Sequence, residues 1–157
     1  IKECLELSDN CYKGPLGPIN SWDVSTVTDM SVMFCDAEYN PFPRAQKFNG
    51  DVSKWDVSRA TDMNHMFYSL LSFNGDLSKW DVSSVTSMVG MFYSAMSFDG
   101  DISTWDVSSV TSMSGMFFSA LSFNNDISKW DVSSTTNMFT MFAFTSQFNC
   151  GISNWPP

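Results

Sequence analysis

Apolar residues in this chain fall into two alternating rhythms. In "DISTWDV" (residues 101–107) they stand at Ile102, Trp105 and Val107, so that Trp105 and Val107 turn the same way on a short strand. In "VTSMSGMF" (110–117) they stand at Val110, Met113, Met116 and Phe117, the spacing of one helical or 3-10 turn packed back on that strand. "FNND" or "FNGD" closes the unit, and Asn49-Gly50 and Asn74-Gly75 suit a turn that needs positive φ. The pattern predicts strand, corner, helical turn, turn.

The unit recurs. Trp55, Trp80, Trp105, Trp130 and Trp155 are 25 residues apart, and Trp22 lies 33 before Trp55. Phe34, Phe67, Phe92, Phe117 and Phe142 each follow their Trp by twelve, so the extra length falls within "CDAEYNPFPRAQK", a loop bearing Pro41 and Pro43. A fixed period of this size is the mark of stacked repeats. One unit cannot bury its own Trp, Met and Phe, whereas stacking buries each against its equivalents, at roughly 1.5–3 kcal/mol per side chain. The methionines (Met30, Met63, Met88, Met113, Met138 and Met33, Met66, Met91, Met116, Met141) keep the Trp period and read as core rather than as an adaptable binding groove.

The expected fold is an α/β repeat solenoid: a right-handed coil with one parallel sheet of short strands and short helical or 3-10 turns opposite. Residues 1–18 form an N-terminal cap and 19–157 the solenoid, with the inserted loop at 35–47. The phrase F-N-x-D-[IVL]-S-x-W-D-V-S-x-V-T-x-M-x-x-M-F, running from Ile19 to Trp155, resembles the 25-residue BspA-like surface-protein repeat, a relative of leucine-rich-repeat solenoids. The resemblance implies an extracellular or cell-surface module used for adhesion or protein contact, with no catalytic residue to carry over.

Charge narrows the partners. The formal net charge is -9 and only 16% of residues are charged, so Ser, Thr and Asn must cover the surface. An acidic chain of this kind does not neutralise phosphate, which excludes sequence-independent nucleic-acid binding, and it is repelled by anionic lipid. No apolar run approaches the ~18 residues of a membrane span. The chain opens "IKECLELSDN", without Met, and reads as a processed or trimmed segment with no visible signal peptide. Catalysis is not expected. His65 is a lone variant at its repeat position, read as a surface substitution, and no zinc-spaced cluster, phosphate loop or nucleophile motif is present.

The carboxylates form two columns. Asp23, Asp56, Asp81, Asp106 and Asp131 stand between the inward Trp and Val and face outward; stacking sets them ~4.8 Å apart. Like charges at that spacing repel by about 1 kcal/mol per neighbour in water. Lys54, Lys79 and Lys129, two residues before their Asp, offset this on an exposed contact face; bound Ca²⁺ is the alternative. Asp51, Asp76, Asp101 and Asp126 read as turn caps. A third column, Thr28, Thr61, Thr86, Thr111 and Thr136, reads as corners where the hydroxyl satisfies backbone, with an ice-binding face as the alternative. No N-glycosylation sequon occurs.

The ends carry the cysteines. Cys35 and Cys150 are about four coils, roughly 19 Å, apart, too far to pair within one chain. Of Cys4, Cys11 and Cys35, one pair can form, leaving one unpaired thiol at each end. The last coil stops at Trp155-Pro156-Pro157 with no polar cap, although Pro at the exit blunts an open edge. The leading expectation is therefore an extracellular, non-enzymatic structural or adhesive module that contacts a protein partner. The alternative is a head-to-tail fibre subunit whose Cys150 and Trp155 end meets the other end of the next copy, with Cys150 bonded to its Cys35, Cys11 or Cys4.

Overall fold

The computed structural model describes residues 1–14, 16–153 and 155; Pro156 and Pro157, the exit expected to blunt the last edge, lie outside them. Regular secondary structure is nearly absent among the described residues. There is one α-helix, α1 (Lys2–Leu7), with 3-10 turns at Ile19–Ser21 and Ala45–Lys47. The rest is turns and irregular backbone stacked repeat on repeat.

The expected α/β fold with a parallel sheet is therefore corrected. No strand forms among the described residues; the sheet is replaced by isolated parallel bridges, Asp29 to Asp62, Asp62 to Ser87, Ser87 to Ser112 and Ser112 to Asn137. The two stretches exchange the roles assigned to them. The segment expected to be a strand is a run of tight turns, because it carries two Asp-x-Ser staples. Ser103 N–H donates to Asp101 Oδ1 at 3.0 Å and Ser108 N–H to Asp106 Oδ1 at 3.0 Å, and each staple bends the backbone that a strand would need extended. The segment expected to be a helical turn instead carries the lateral hydrogen bonds between repeats. Met63, His65, Phe67 and Ser69 N–H donate to Ser87, Val89, Met91 and Tyr93 carbonyls at 3.0, 2.8, 2.9 and 2.8 Å. His65 and Ser69 have φ of 56°, so the chain turns between alternate bonded residues and neither helix nor strand propagates.

Side chains complete the stack. Trp55, Trp80, Trp105 and Trp130 donate their indole N–H to the carbonyls of Ile19, Val52, Leu77 and Ile102 of the preceding repeat, at 2.9, 3.1, 3.0 and 3.1 Å. A second ladder is built from amides and carboxylates: Asn49, Asn74, Asp99, Asn124 and Asn149 N–H donate to Oδ1 of Asn10, Asn49, Asn74, Asp99 and Asn124, at 2.8 to 3.0 Å. Asn10 thus plays the part of a repeat residue, and repeat geometry begins before Ile19. Below it, α1 closes the stack by burying Cys4 and Leu5, and the Cys4–Cys11 disulfide ties it there, with Cα atoms 5.1 Å apart.

The core is a lattice of rings. Within one repeat Phe67 meets Phe73, Phe92 meets Phe98 and Phe117 meets Phe123, with centroids 4.4, 4.0 and 3.8 Å apart. Between repeats Phe67, Phe92 and Phe117 stack at 5.4 and 5.6 Å. Each such pair adds about 0.5–1.5 kcal/mol beyond burial. Met63, Met88 and Met113, with Met66, Met91 and Met116, are wholly buried around these rings.

Candidate contact surfaces

The Asp and Lys columns are exposed, as a contact face requires, and each Asp also makes local hydrogen bonds through one carboxylate oxygen. Asp56, Asp81 and Asp106 each accept from a Ser two residues on, through the hydroxyl at 2.7, 2.6 and 2.6 Å and through its N–H at 3.1, 3.1 and 3.0 Å. Asp23 is held in the same way by Ser25, and Asp131 by the Ser133 N–H. The Ser58 hydroxyl and then its N–H hold the Asp56 carboxyl below the usual carboxylate range, and Ser108 does the same for Asp106. The lysines serve the other column. Lys54, Lys79 and Lys129 act electrostatically on Asp51, Asp76 and Asp126, and no ion pair joins them to Asp56, Asp81 or Asp131 among the described residues. No group of three or more His, Cys, Asp or Glu side chains converges on a metal position among the described residues. The Thr hydroxyls are engaged too: Thr61, Thr86, Thr111 and Thr136 Oγ1 donate to the preceding Thr carbonyl at 3.3, 3.1, 3.0 and 3.3 Å.

The cysteines divide as spacing allowed, with one pair at the N-terminal end and free thiols at Cys35 and Cys150. Cys35 is 2% exposed, and burial together with the neighbouring Asp36 pushes its thiol up to about 11. Cys150 is half-buried. Its thiol is also raised, by burial and by Asp126 and Asp99, and it points at the Asn124 carbonyl 3.4 Å away. A thiol must ionise to attack, so the raised pKa slows Cys150 near neutral pH, and burial also covers Cys35. The head-to-tail disulfide thus lacks an accessible partner at Cys35. Trp155 stacks on Trp130 at 6.4 Å, yet its buried indole N–H finds no acceptor among the described residues. It sits in an open hollow of about 420 Å³ with Met138, Met141, Phe142 and Ile152.

A different face stands out. Tyr39, Tyr68, Tyr93, Phe118 and Phe144 form one file up the side of the stack, with centroids 5.7, 5.2, 4.5 and 5.1 Å apart. Tyr39 is 44% exposed and Phe144 72%, and the three between are half-buried. The inserted loop supplies Tyr39, because the first repeat has Cys35 at the position of Tyr68. His65 is not a free surface residue. Half-buried, it packs 4.4 Å from Tyr39 and lies over Gly90, and burial lowers its pKa. Three residues after each ring come Leu71, Met96 and Leu121, and Met96 and Leu121 are each 40% exposed. Its three middle members, Tyr68, Tyr93 and Phe118, were visible in the sequence as the residue after an "MF" pair, and pattern reading passed over them because they look like a continuation of the core.

Beyond the loop that supplies Tyr39 beside Asp36 and Glu38, charge is absent from the ring-bearing segments. No Asp, Glu, Lys or Arg occurs in residues 63–75, 82–98, 107–125 or 132–157. Interface cores show this same mixture, rich in Tyr, Phe and Met and poor in charge.

Residues 13–88 and 76–156 each match the family described as "Mycoplasma protein of unknown function, DUF285". The chain belongs to this family. A comparison with curated proteins gives no match. The two matches of this DUF285 chain span both the repeats and the ring file, so the contact surfaces above are built from the family's own repeat. No helix among the described residues is long and apolar enough to cross a membrane.

Proposed function

We propose that this chain is a non-enzymatic contact module of the BspA-like kind, acting at a cell surface or outside the cell by binding protein. The observation that carries this reading is the uncharged face with its file of part-exposed rings. The column stands half open to water on an acidic, Ser-rich molecule, outside the buried rings of Phe67, Phe92 and Phe117. The Asp, Ser and Thr side chains engaged within and between repeats suit a scaffold that holds a surface in place. The Cys4–Cys11 bond suits an oxidising compartment.

The test is binding of the fluorescently labelled chain to whole cells and to immobilised surface proteins, with a Tyr93→Ser/Phe118→Ser variant beside it. Both positions are half-buried, so circular dichroism checks that the variant folds. Binding lost by the folded variant supports the reading. Binding that the variant retains in full overturns it.

A further inference from the structure

We infer that the ring face also pairs with a second copy of the same chain, side by side, about a two-fold axis that runs along the stack. The inference rests on the contact reading above and names one partner of that face. Three observations lead to it.

The first is self-complementarity. The face has two parallel files, bulky rings (Tyr68, Tyr93, Phe118) and aliphatic side chains (Leu71, Met96, Leu121), three residues apart in each of three successive repeats; the last repeat has Ala143 and Ser146 at these positions. A two-fold axis between the files and parallel to them lays each copy's rings on its partner's aliphatic file, which is the isologous contact of a C2 dimer. Rotation about an axis across the files would instead set ring on ring.

Pitch is the second. The face advances by one hydrogen-bonded coil step, roughly 4.8 Å, per ring. A partner matches it repeat by repeat only if it advances by the same step, and a parallel copy does so in every repeat.

Charge is the third. Two chains of net charge -9 repel, and the acidic staples surround the rest of the stack. From residue 63 onward, the ring-face segments alone bring no carboxylate against another. Two coil steps separate the first pair of the face from the third, so it is ~10 Å tall. That is small beside the roughly 800 Å² per partner of a standard interface. The dimer is therefore concentration-dependent.

Sedimentation velocity on the full chain, from about 1 µM to 1 mM, reads the association directly. Wild type should move from monomer to dimer across that range. The Met96→Lys/Leu121→Lys variant alters exposed positions, and it should raise the dissociation constant at least tenfold. Thr104→Lys, an equal kind of change on the acidic arm, should leave it unaltered. Wild type that stays monomeric throughout, or a dimer untouched by the Met96→Lys/Leu121→Lys change, overturns the inference. If the chain stays monomeric while Tyr93→Ser/Phe118→Ser still abolishes surface binding, the second copy is refuted and the contact reading stands. If surface binding also survives that variant, both fall.

Discussion

Replacing Trp105 by Phe tests the indole ladder against its own built-in control. Trp105 is 4% exposed and its N–H donates to the Leu77 carbonyl at 3.0 Å. That carbonyl also accepts from the Trp80 backbone N–H at 3.1 Å, so losing the indole does not orphan it. The net value of an ordinary hydrogen bond applies, about 0.5–1.5 kcal/mol. The smaller ring gives up on the order of 50 Å² of buried surface, about 1.2 kcal/mol at ~25 cal/mol per Å². Trp105→Phe should therefore cost about 2–3 kcal/mol. Trp155→Phe is the same change in the same column, but its N–H has no acceptor among the described residues and its ring is half-buried. It should cost less than about 1 kcal/mol, since discarding an unsatisfied donor offsets lost packing. Trp130→Phe separates the bond from nearness to the end of the stack: it bonds Ile102 at 3.1 Å one repeat away, and should fall with Trp105. Urea melts followed by far-ultraviolet circular dichroism give all three. If Trp155→Phe proves as costly as Trp105→Phe, or Trp130→Phe as mild as Trp155→Phe, the ladder is not what the indoles contribute.

Gly90 and Gly115 share a left-handed backbone, φ 57° and 61°, but a Cβ on Gly90 would meet His65 Cδ2 at 2.6 Å, while the nearest atom to one on Gly115 is at 3.6 Å. Each change to Ala should cost roughly 1–2 kcal/mol for the backbone; Gly90→Ala should cost more in thermal melts, and adding His65→Ala should bring it back to the Gly115→Ala level. Acid should weaken the fold. The staple serines depress the folded pKa of Asp51, Asp76 and Asp101 below the ordinary Asp value of 3.8, so their contribution is present above that value and is lost as pH falls through the folded pKa; urea midpoints measured from neutral pH to about pH 2 should show this, and Ser→Ala at the staples should flatten the slope. His65 adds a separate step. Burial lowers its folded pKa, so the stability it confers is complete above 6.5 and declines as pH falls below that; a His65→Gln variant should lack this component in the same titration. Alkylation by iodoacetamide at neutral pH should modify Cys150 slowly and Cys35 only in urea, and non-reducing gels should show no reductant-sensitive dimer, as read by mass spectrometry and band position.

The period, the insertion and the buried set were legible in the sequence. Trp, Val, Met and Phe recur every 25 residues, and only stacking buries them all, so the core could be assigned without coordinates. The cysteine arithmetic held for the same reason, because distance along a stack follows directly from repeat number. Local conformation was a different matter. Apolar spacing in "DISTWDV" fits a strand, but two Asp-x-Ser staples compete for the same backbone, and hydrogen bonds only two residues long prevail over an extended form that has no lateral partner there. In "VTSMSGMF" the spacing fits a helical turn. Yet left-handed residues such as His65 and Ser69 turn their N–H groups toward the next repeat, where a matching carbonyl waits. Whether that carbonyl is in place depends on the neighbouring repeat, and no single repeat's pattern contains it. The same holds for the contact face. Tyr68, Tyr93 and Phe118 directly follow core phenylalanines, and only the turn of the backbone after Phe67, Phe92 and Phe117 puts one ring inside and the next outside. The sequence alone determined how many repeats stack and what lies between them. Tertiary structure decided which backbone groups pair across each layer and which rings face water, because both depend on how one repeat rests on another.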